Sequence, residues 1–321
     1  MTVPQLCCNR SVHVPVSTSI QPLGTMKYVF PVSLLLLIAF VAPVRAAHQD
    51  TIKRSFDVGA NGTLRLDLDR GDVTIEASDD ARVHVVMVRD VEGATDEQLK
   101  TIFEYHEYRM DQRANDVIVE SRFDGDDRTE WAWRNWKKTN RFRLHVTVLV
   151  PTDYAVDFET AAGEVYIEDV TGRVVGRTGA GSVDILRVVG SVSLDTGAGN
   201  VHLDDVSGSV DASTGAGNLT LERIAGSIRA STGAGDITAY ILEQPRDDSR
   251  FETGAGDVTV YVAGDLGFDI DAQASVGSVS CDFGLRVRGK WMSKSCAGDI
   301  NGGGPGLALS SGVGNVALHR R

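Results

Sequence analysis

The sequence predicts an all-β protein: a single-stranded, right-handed parallel β-helix (solenoid) with one short helix near its N-terminal end. Three observations carry that prediction. First, a unit reading T-G-A-G-x-V-x-L recurs, with complete T-G-A-G copies beginning at Thr178, Thr196, Thr214, Thr232 and Thr253. Second, its last glycine recurs at Gly163, Gly181, Gly199, Gly217, Gly235, Gly256, Gly277, Gly298 and Gly314, with gaps of 18, 18, 18, 18, 21, 21, 21 and 16 residues. Fixed-period self-similarity marks stacked supersecondary units. Third, apolar residues stand two and four places after these glycines, as in Val183/Ile185, Val201/Leu203 and Leu219/Leu221. Period two with β-branched residues is the pattern of a strand with one buried face.

A second glycine series, Gly172, Gly190, Gly208 and Gly226, falls nine residues after the first four, so the 18-residue unit holds two unlike halves. Its apolar pairs include Val192/Leu194 and Val210/Ala212; Gly176 and Gly302 break the rule at the second place. Nine residues hold no helical crossover. Like-oriented short units therefore predict a coiling chain whose equivalent strands stack about 4.8 Å apart. Parallel crossovers are right-handed, which sets the expected hand. A single coil buries too few side chains to offset its ordering entropy and needs neighbours on both faces.

The rest of the 321-residue chain falls into segments around that repeat. Residues 1–25 lack acids and periodicity, and read as a leader or as an over-extended start with Met26 the initiator. Residues 26–46 read as a signal peptide: Lys27, an apolar run from Tyr28 to Val44, then Val44-Arg45-Ala46 as a cleavage site. The run is short for a spanning helix, so no integral membrane segment is expected after cleavage.

Residues 47–158 read as the N-terminal β-rich part of the solenoid. Leu64, Leu66 and Leu68 alternate, Gly71-Asp72-Val73-Thr74-Ile75 repeats the half-unit, and Val83, Val85 and Met87 alternate again. A helix is predicted over 95–110, with Thr95 and Gln98 as a capping box and Leu99, Ile102, Phe103, His106 and Met110 on one face, covering the open end of the solenoid. Val117, Val119 and Phe123, then Leu144, Val146, Val148 and Val150, suggest two more strands. Residues 159–321 read as coils of 18–21 residues.

The chain carries −12 overall. Residues 1–46 hold only Arg10, Lys27 and Arg45, so the remainder has 29 basic against 44 acidic residues, a net charge of −15. An acidic exported protein is a poor binder of nucleic acid. The exception is local. Arg128, Trp131, Trp133, Arg134, Trp136, Lys137, Lys138, Arg141 and Arg143 gather basic groups and three of the four Trp residues. Trp131, Trp133 and Trp136 with Arg134, Lys137 and Lys138 are the candidate binding residues, suited to stacking on sugar rings or to sitting at a membrane interface. A plug of Trp side chains at the solenoid end is the structural alternative.

Chemistry elsewhere is sparse. Asn200, Asn218, Asp236, Asp257 and Asn315, one place after their glycines, read as turn residues bonding their own backbone; calcium-binding nonapeptide repeats place Asp one position later. The seven His residues show no metal spacing. Asp184, Asp195, Asp204, Asp205 and Asp211 are the carboxylates a polysaccharide-cleaving site would draw on. No catalytic residue, metal or cofactor is assigned. Cys281 takes a core position and Cys296 a turn, and the two are a possible disulfide; two free buried thiols are the alternative.

The path Val146-x-Val148-x-Val150-Pro151 into Val165-Tyr166-Ile167, the repeated G-x-[VI]-x-[LA] and Gly71-Asp72-Val73-Thr74-Ile75 together resemble the exported bacterial family of putative adhesins, a domain family of unknown function. The resemblance covers about residues 55–318. It implies a β-helix outside the cytoplasm (periplasmic, cell-surface or secreted) and supplies no catalytic residues. The expected function is non-catalytic adhesion or cell-envelope interaction, with a glycan or an envelope protein as partner. A carbohydrate-active β-helix enzyme and an envelope-stress sensor are the other readings. Local function is expected at the interruptions of the repeat: 128–143, 243–250 and 284–295.

Overall fold

In the computed structural model, residues 47–92, 95–123, 141–290 and 293–321 are described. In chain order the N-terminal elements are β1 (Ala47–Asp57), β2 (Thr63–Leu68), β3 (Asp72–Ser78), β4 (Arg82–Glu92), α1 (Asp96–Tyr105), β5 (His106–Arg113), β6 (Asp116–Phe123) and β7 (Arg141–Pro151). The central coils are β8 (Ala155–Ala162), β9 (Val165–Glu168), β10 (Val174–Ala180), β11 (Val183–Val188), β12 (Val192–Ala198), β13 (Val201–Val206), β14 (Val210–Ala216), β15 (Leu219–Ile224), β16 (Ile228–Ala234) and β17 (Ile237–Ile241). The last are β18 (Ser249–Ala255), β19 (Val258–Val262), β20 (Phe268–Val276), β21 (Val279–Cys281), β22 (Val287–Lys290), β23 (Ser293–Ile300), β24 (Gly306–Val313) and β25 (Val316–Arg320).

Even and odd strands of the repeat go to different sheets. A 12-stranded sheet runs β1-β4-β7-β3-β9-β11-β13-β15-β17-β19-β25-β21, and a 13-stranded sheet runs β22-β23-β20-β24-β18-β16-β14-β12-β10-β8-β2-β6-β5. Each 18-residue unit contributes one strand to each sheet. Parallel pairing joins equivalent positions, as Val183↔Val201 and Val192↔Val210. The apolar positions found in the sequence face inward between the sheets and form one continuous core.

The coils do not stack in chain order at either end. The strands β2 and β3 lie between β8/β9 and β6/β7. Likewise β24 and β25 lie between β18/β19 and β20/β21. The chain leaves a layer open and fills it later. Both inserted layers gain strand partners on two sides, so their backbone groups are paired and the C-terminal strand is held inside the stack. Three of the four sheet ends finish in antiparallel strands: β4 on β7 and β1 on β4, β5 on β6, and β23 on β20 with β22 on β23; the 12-stranded sheet ends at its other side in β21, parallel to β25.

Two expectations are corrected here. The helix ends at Tyr105: its capping box is present, but His106 and Met110 belong to β5, where Met110 pairs with Val119. Strand pairing with β6 overrides the helical spacing. Leu99 and Ile102 pack with Val91, Phe103 and Phe142 in a small cluster beside the outer strands β4 and β7. Gly298 is also outside the glycine ladder, because β23 runs antiparallel to β20 and pairs Gly298 with Ile270.

The two corners of a coil are built differently. At Gly181 φ is +135°, and an added Cβ would lie 1.9 Å from the Gly163 carbonyl oxygen of the neighbouring coil. That corner needs glycine twice, for its backbone angle and for close approach. The other corner combines a left-handed residue, Asp169, Arg187, Asp205 or Arg223 with φ between +51° and +62°, with a glycine three places later, where a Cβ at Gly190 would lie 2.1 Å from the Gly172 carbonyl oxygen. Their charges alternate from coil to coil, and Arg187 pairs with Asp169 at 2.6 Å.

The polar ladder works between coils. Asn200 Oδ1 accepts from the Asn218 backbone N–H (2.9 Å), Asn218 Oδ1 from Asp236 (2.8 Å), Asp236 Oδ1 from Asp257 (2.8 Å) and Asp257 Oδ1 from Asn315 (2.7 Å). These side chains satisfy the next coil's backbone rather than their own. The Thr ladder acts similarly: the hydroxyls of Thr232 and Thr253 each donate to the carbonyl of the preceding coil's corner glycine at 2.9 Å.

Candidate functional site

The binding residues expected from sequence, Trp131, Trp133, Trp136, Arg134, Lys137 and Lys138, lie outside the described residues. The 26–46 leader does too. The chain reaches 124–140 from Arg122 and Phe123 at the end of β6, and β6 borders a groove that is described in full.

That groove, about 430 Å³, lies on the outer face of the 13-stranded sheet, with Asp67, Asp69, Arg122, Glu159, Arg177 and Asp195 among its lining residues. Alternation along each strand turns these side chains outward while Leu66, Phe158 and Leu194 point into the core. Register then aligns them: Asp67 beside Glu159, Glu159 beside Arg177, Arg177 beside Asp195. Strand spacing sets these charges about 4.8 Å apart. Arg122 bridges Asp67 and Asp69, the second at 3.5 Å. Asp195 accepts from Ser213 Oγ at 2.9 Å. Glu159 and Arg177 are exposed and have no ion pair with any other described residue. The result is a row of carboxylate acceptors interrupted by the Arg177 guanidinium donor and flanked by Arg122, open to solvent.

Behind one end of the groove sits a buried histidine. His106 is 3% exposed, and its Nε2 lies 2.7 Å from Ser121 Oγ. Its ring is 4.7 Å from that of Phe123 and 5.5 Å from that of Phe142. Burial, and secondarily the Arg89 charge, push its pKa down to about 4; the nearby Asp69 carboxylate opposes this. His106 is therefore neutral at pH 7. Arg89, 8% exposed, points inward, bonds Asp50 through Nε at 2.9 Å and lies 4.2 Å from the centre of the Phe103 ring. With Ser121 only 1% exposed, the Ser–His pair is closed to substrate and serves packing.

The 12-stranded sheet carries a different outer surface near the C-terminal layers. Tyr240, Tyr261 and His319 align in register and stack, with centroids 4.8 Å and 5.3 Å apart. Arg321 covers Tyr240 at 5.4 Å. Their faces are used against one another, leaving ring edges to solvent.

The carboxylates weighed from sequence do not converge. Asp195 and Asp211 face outward on the 13-stranded sheet, Asp184 and Asp204 lie on strands of the 12-stranded sheet, and Asp205 forms a left-handed corner. Asp204 is paired with Arg223. Among the described residues no cluster of His, Cys, Asp and Glu has metal-binding geometry. The 243–250 interruption ties neighbouring turns together: Gln244 exchanges two hydrogen bonds with Gly267 (3.0 and 2.9 Å), and Asp248 accepts from the Gly306 N–H (2.7 Å). Sequence reasoning missed Arg177, Glu159 and Asp67, although each stands four places before a corner glycine at the repeat spacing. Arg122 had no such signal, because β6 joins β2 out of chain order.

Cys281 and Cys296 are both free thiols. Cys296 is not in a turn: it is a fully buried residue of β23, paired with Ala272 and Val287.

The family model described as Toastrack DUF4097 matches residues 61–318. Among solved structures, one described as a putative adhesin from Bacteroides fragilis is 15% identical, covering 85% of this chain and 97% of its own, with a TM-score of 0.45. A putative adhesin from Parabacteroides distasonis is 13% identical over 85% of this chain and 97% of its own, with a TM-score of 0.32. A third from Parabacteroides distasonis, described as a putative lipid binding protein, is 9% identical over 83% and 96%, with a TM-score of 0.36. No curated protein matches the chain.

Proposed function

We propose that this chain, which belongs to the Toastrack DUF4097 family, is an exported, non-catalytic solenoid that binds a polyhydroxyl ligand, a cell-surface or envelope glycan. The supporting observation is the row Asp67, Glu159, Arg177 and Asp195, with Arg122 beside it, lining one groove. Carboxylates accept from sugar hydroxyls and guanidiniums donate to them; charged partners make these hydrogen bonds stronger than neutral ones. Coil-to-coil repetition suits a repeating chain ligand better than a single small molecule. Export rests on the apolar run before Ala47, and the right-handed, single-stranded path on the general hand of parallel crossovers. The Trp-rich basic segment, which begins six residues after Arg122 in the chain, is proposed as a second contact for the same ligand.

A glycan array probed with the protein tests this, alongside a polysaccharide-degradation assay. Binding is expected, with a loss of roughly tenfold or more in Arg177→Ala and Glu159→Gln, on the basis of about 1.5 kcal/mol per charged hydrogen bond. Release of unsaturated sugar products sinks the non-catalytic reading. Full binding by both groove variants removes the groove as the site. Full binding by a folded W131A/W133A/W136A variant removes the Trp segment.

A further inference from the structure

The C-terminal end of the core holds two cysteines whose positions are fixed by register. On the 12-stranded sheet, the inward column Val260, Leu318 ends at Cys281 of β21. On the facing sheet, the inward column Phe251, Leu309, Ala272 ends at Cys296 of β23. Cys281 shares its coil with Ala272 of β20, and Cys296 lies one strand beyond Ala272 on the facing sheet, where β21 and β23 pack together, so the two thiols approach diagonally across the end of the core. The thiols are hydrogen-bonded to one another. Cys296 is fully buried and Cys281 half-buried, so one sulfur is reachable and its partner is sheltered.

We propose that Cys281 and Cys296 are a dithiol–disulfide pair that, when oxidised, joins the two sheets covalently across the terminal layer. The bond would tie β21 to β23 at the end of the stack, where no further coil covers the core. This assignment is independent of what the solenoid binds.

The chemistry is thiol–disulfide exchange with a low-molecular-weight disulfide. The Cys281 thiol loses its proton and attacks one sulfur of the oxidant, releasing one small thiol and forming a mixed disulfide. The Cys296 thiol then loses its proton and attacks the Cys281 sulfur, releasing the second small thiol. Two protein thiols are oxidised by two electrons and one disulfide oxidant is reduced to two thiols. Burial, followed by the hydrogen bond to Cys296, pushes the Cys281 thiol up. The first step is therefore slow at neutral pH and accelerates as pH rises.

The test uses the full chain, reduced and then equilibrated with oxidised glutathione. Alkylation and tryptic mapping follow; cleavage at Arg286, Arg288, Lys290 and Lys294 separates the two cysteines, so a linked peptide pair reports the bond. The expected result is an intramolecular Cys281–Cys296 link and a Tm about 5 °C higher than that of the reduced protein. Cys281→Ser, a change at the half-buried partner, is expected to abolish both while leaving the reduced-state Tm near that of the parent. The proposal is overturned if both residues remain alkylatable at equilibrium, if glutathione stays on Cys281 unresolved, or if the cysteines link separate chains.

Discussion

The ring of Phe158 fills the space that a side chain at Gly176 would need. The two are register partners on adjacent coils, and a Cβ built at Gly176 would lie 2.1 Å from Phe158 Cζ. Gly176 breaks the apolar rule of its repeat because its neighbour's side chain occupies two layers. Gly176→Ala is expected to cost about 1–3 kcal/mol by overpacking, and Phe158→Leu a similar amount by opening a cavity. The double variant should be more stable than the sum of the singles by about 1 kcal/mol. Urea unfolding of the four proteins measures this; strict additivity would refute the size exchange.

Corner glycines differ in what they tolerate. Gly181→Ala places its Cβ against the Gly163 carbonyl at a φ of +135°, and is expected to cost about 3 kcal/mol or more. At Gly302 φ is +95° and nothing lies within 4 Å of an added Cβ, so Gly302→Ala should cost only about 1–2 kcal/mol of backbone strain. Equal losses on thermal unfolding would show that angle alone, and not coil-to-coil approach, demands glycine at Gly181.

The out-of-order C-terminal layer makes a distinct prediction. Deleting residues 306–321 removes a layer with strands on both sides, not an end coil. The truncated chain is expected to lose cooperative folding, and in the intact chain the amides of β24 and β25 should exchange as slowly as those of β14. Fast exchange in β25, as at a frayed terminus, would contradict the inserted position.

His106 predicts a pH dependence. Its folded pKa of about 4 lies below its ordinary value of 6.5, so the unfolded chain binds the proton more readily. Its contribution is complete above pH 6.5 and is lost as pH falls towards 4, by up to about 3 kcal/mol. His106→Gln should flatten the stability profile between those values by a comparable amount. Carboxylates elsewhere titrate in both proteins and cancel in the difference. Parallel profiles for parent and variant would rule out burial of a neutral His106.

Much of the fold was legible because a solenoid repeats its constraints. Each corner glycine, each inward Val or Ile and each Asn or Asp one place later recurs at the period of the coil, so local spacing reports tertiary position. The helix boundary was not legible: His106 and Met110 satisfy helical spacing as well as strand spacing, and pairing with β6 decided between them. The groove was half visible. Glu159, Arg177 and Asp195 repeat at 18 residues, whereas Arg122 reaches Asp67 and Asp69 only through a pairing 55 and 53 residues distant in sequence.

By itself the sequence determined the coil: its length, its buried faces, its glycine corners and its polar ladder, all set by neighbours within one period. Tertiary structure alone decided the order of the coils. The layer β2/β3 sits between β6/β7 and β8/β9, and β24/β25 between β18/β19 and β20/β21, because near-identical coils offer near-identical surfaces to one another. Which coil meets which is then settled by how the ends are closed. The antiparallel strand β23 also brings Cys296, one strand beyond Ala272, diagonally beside Cys281.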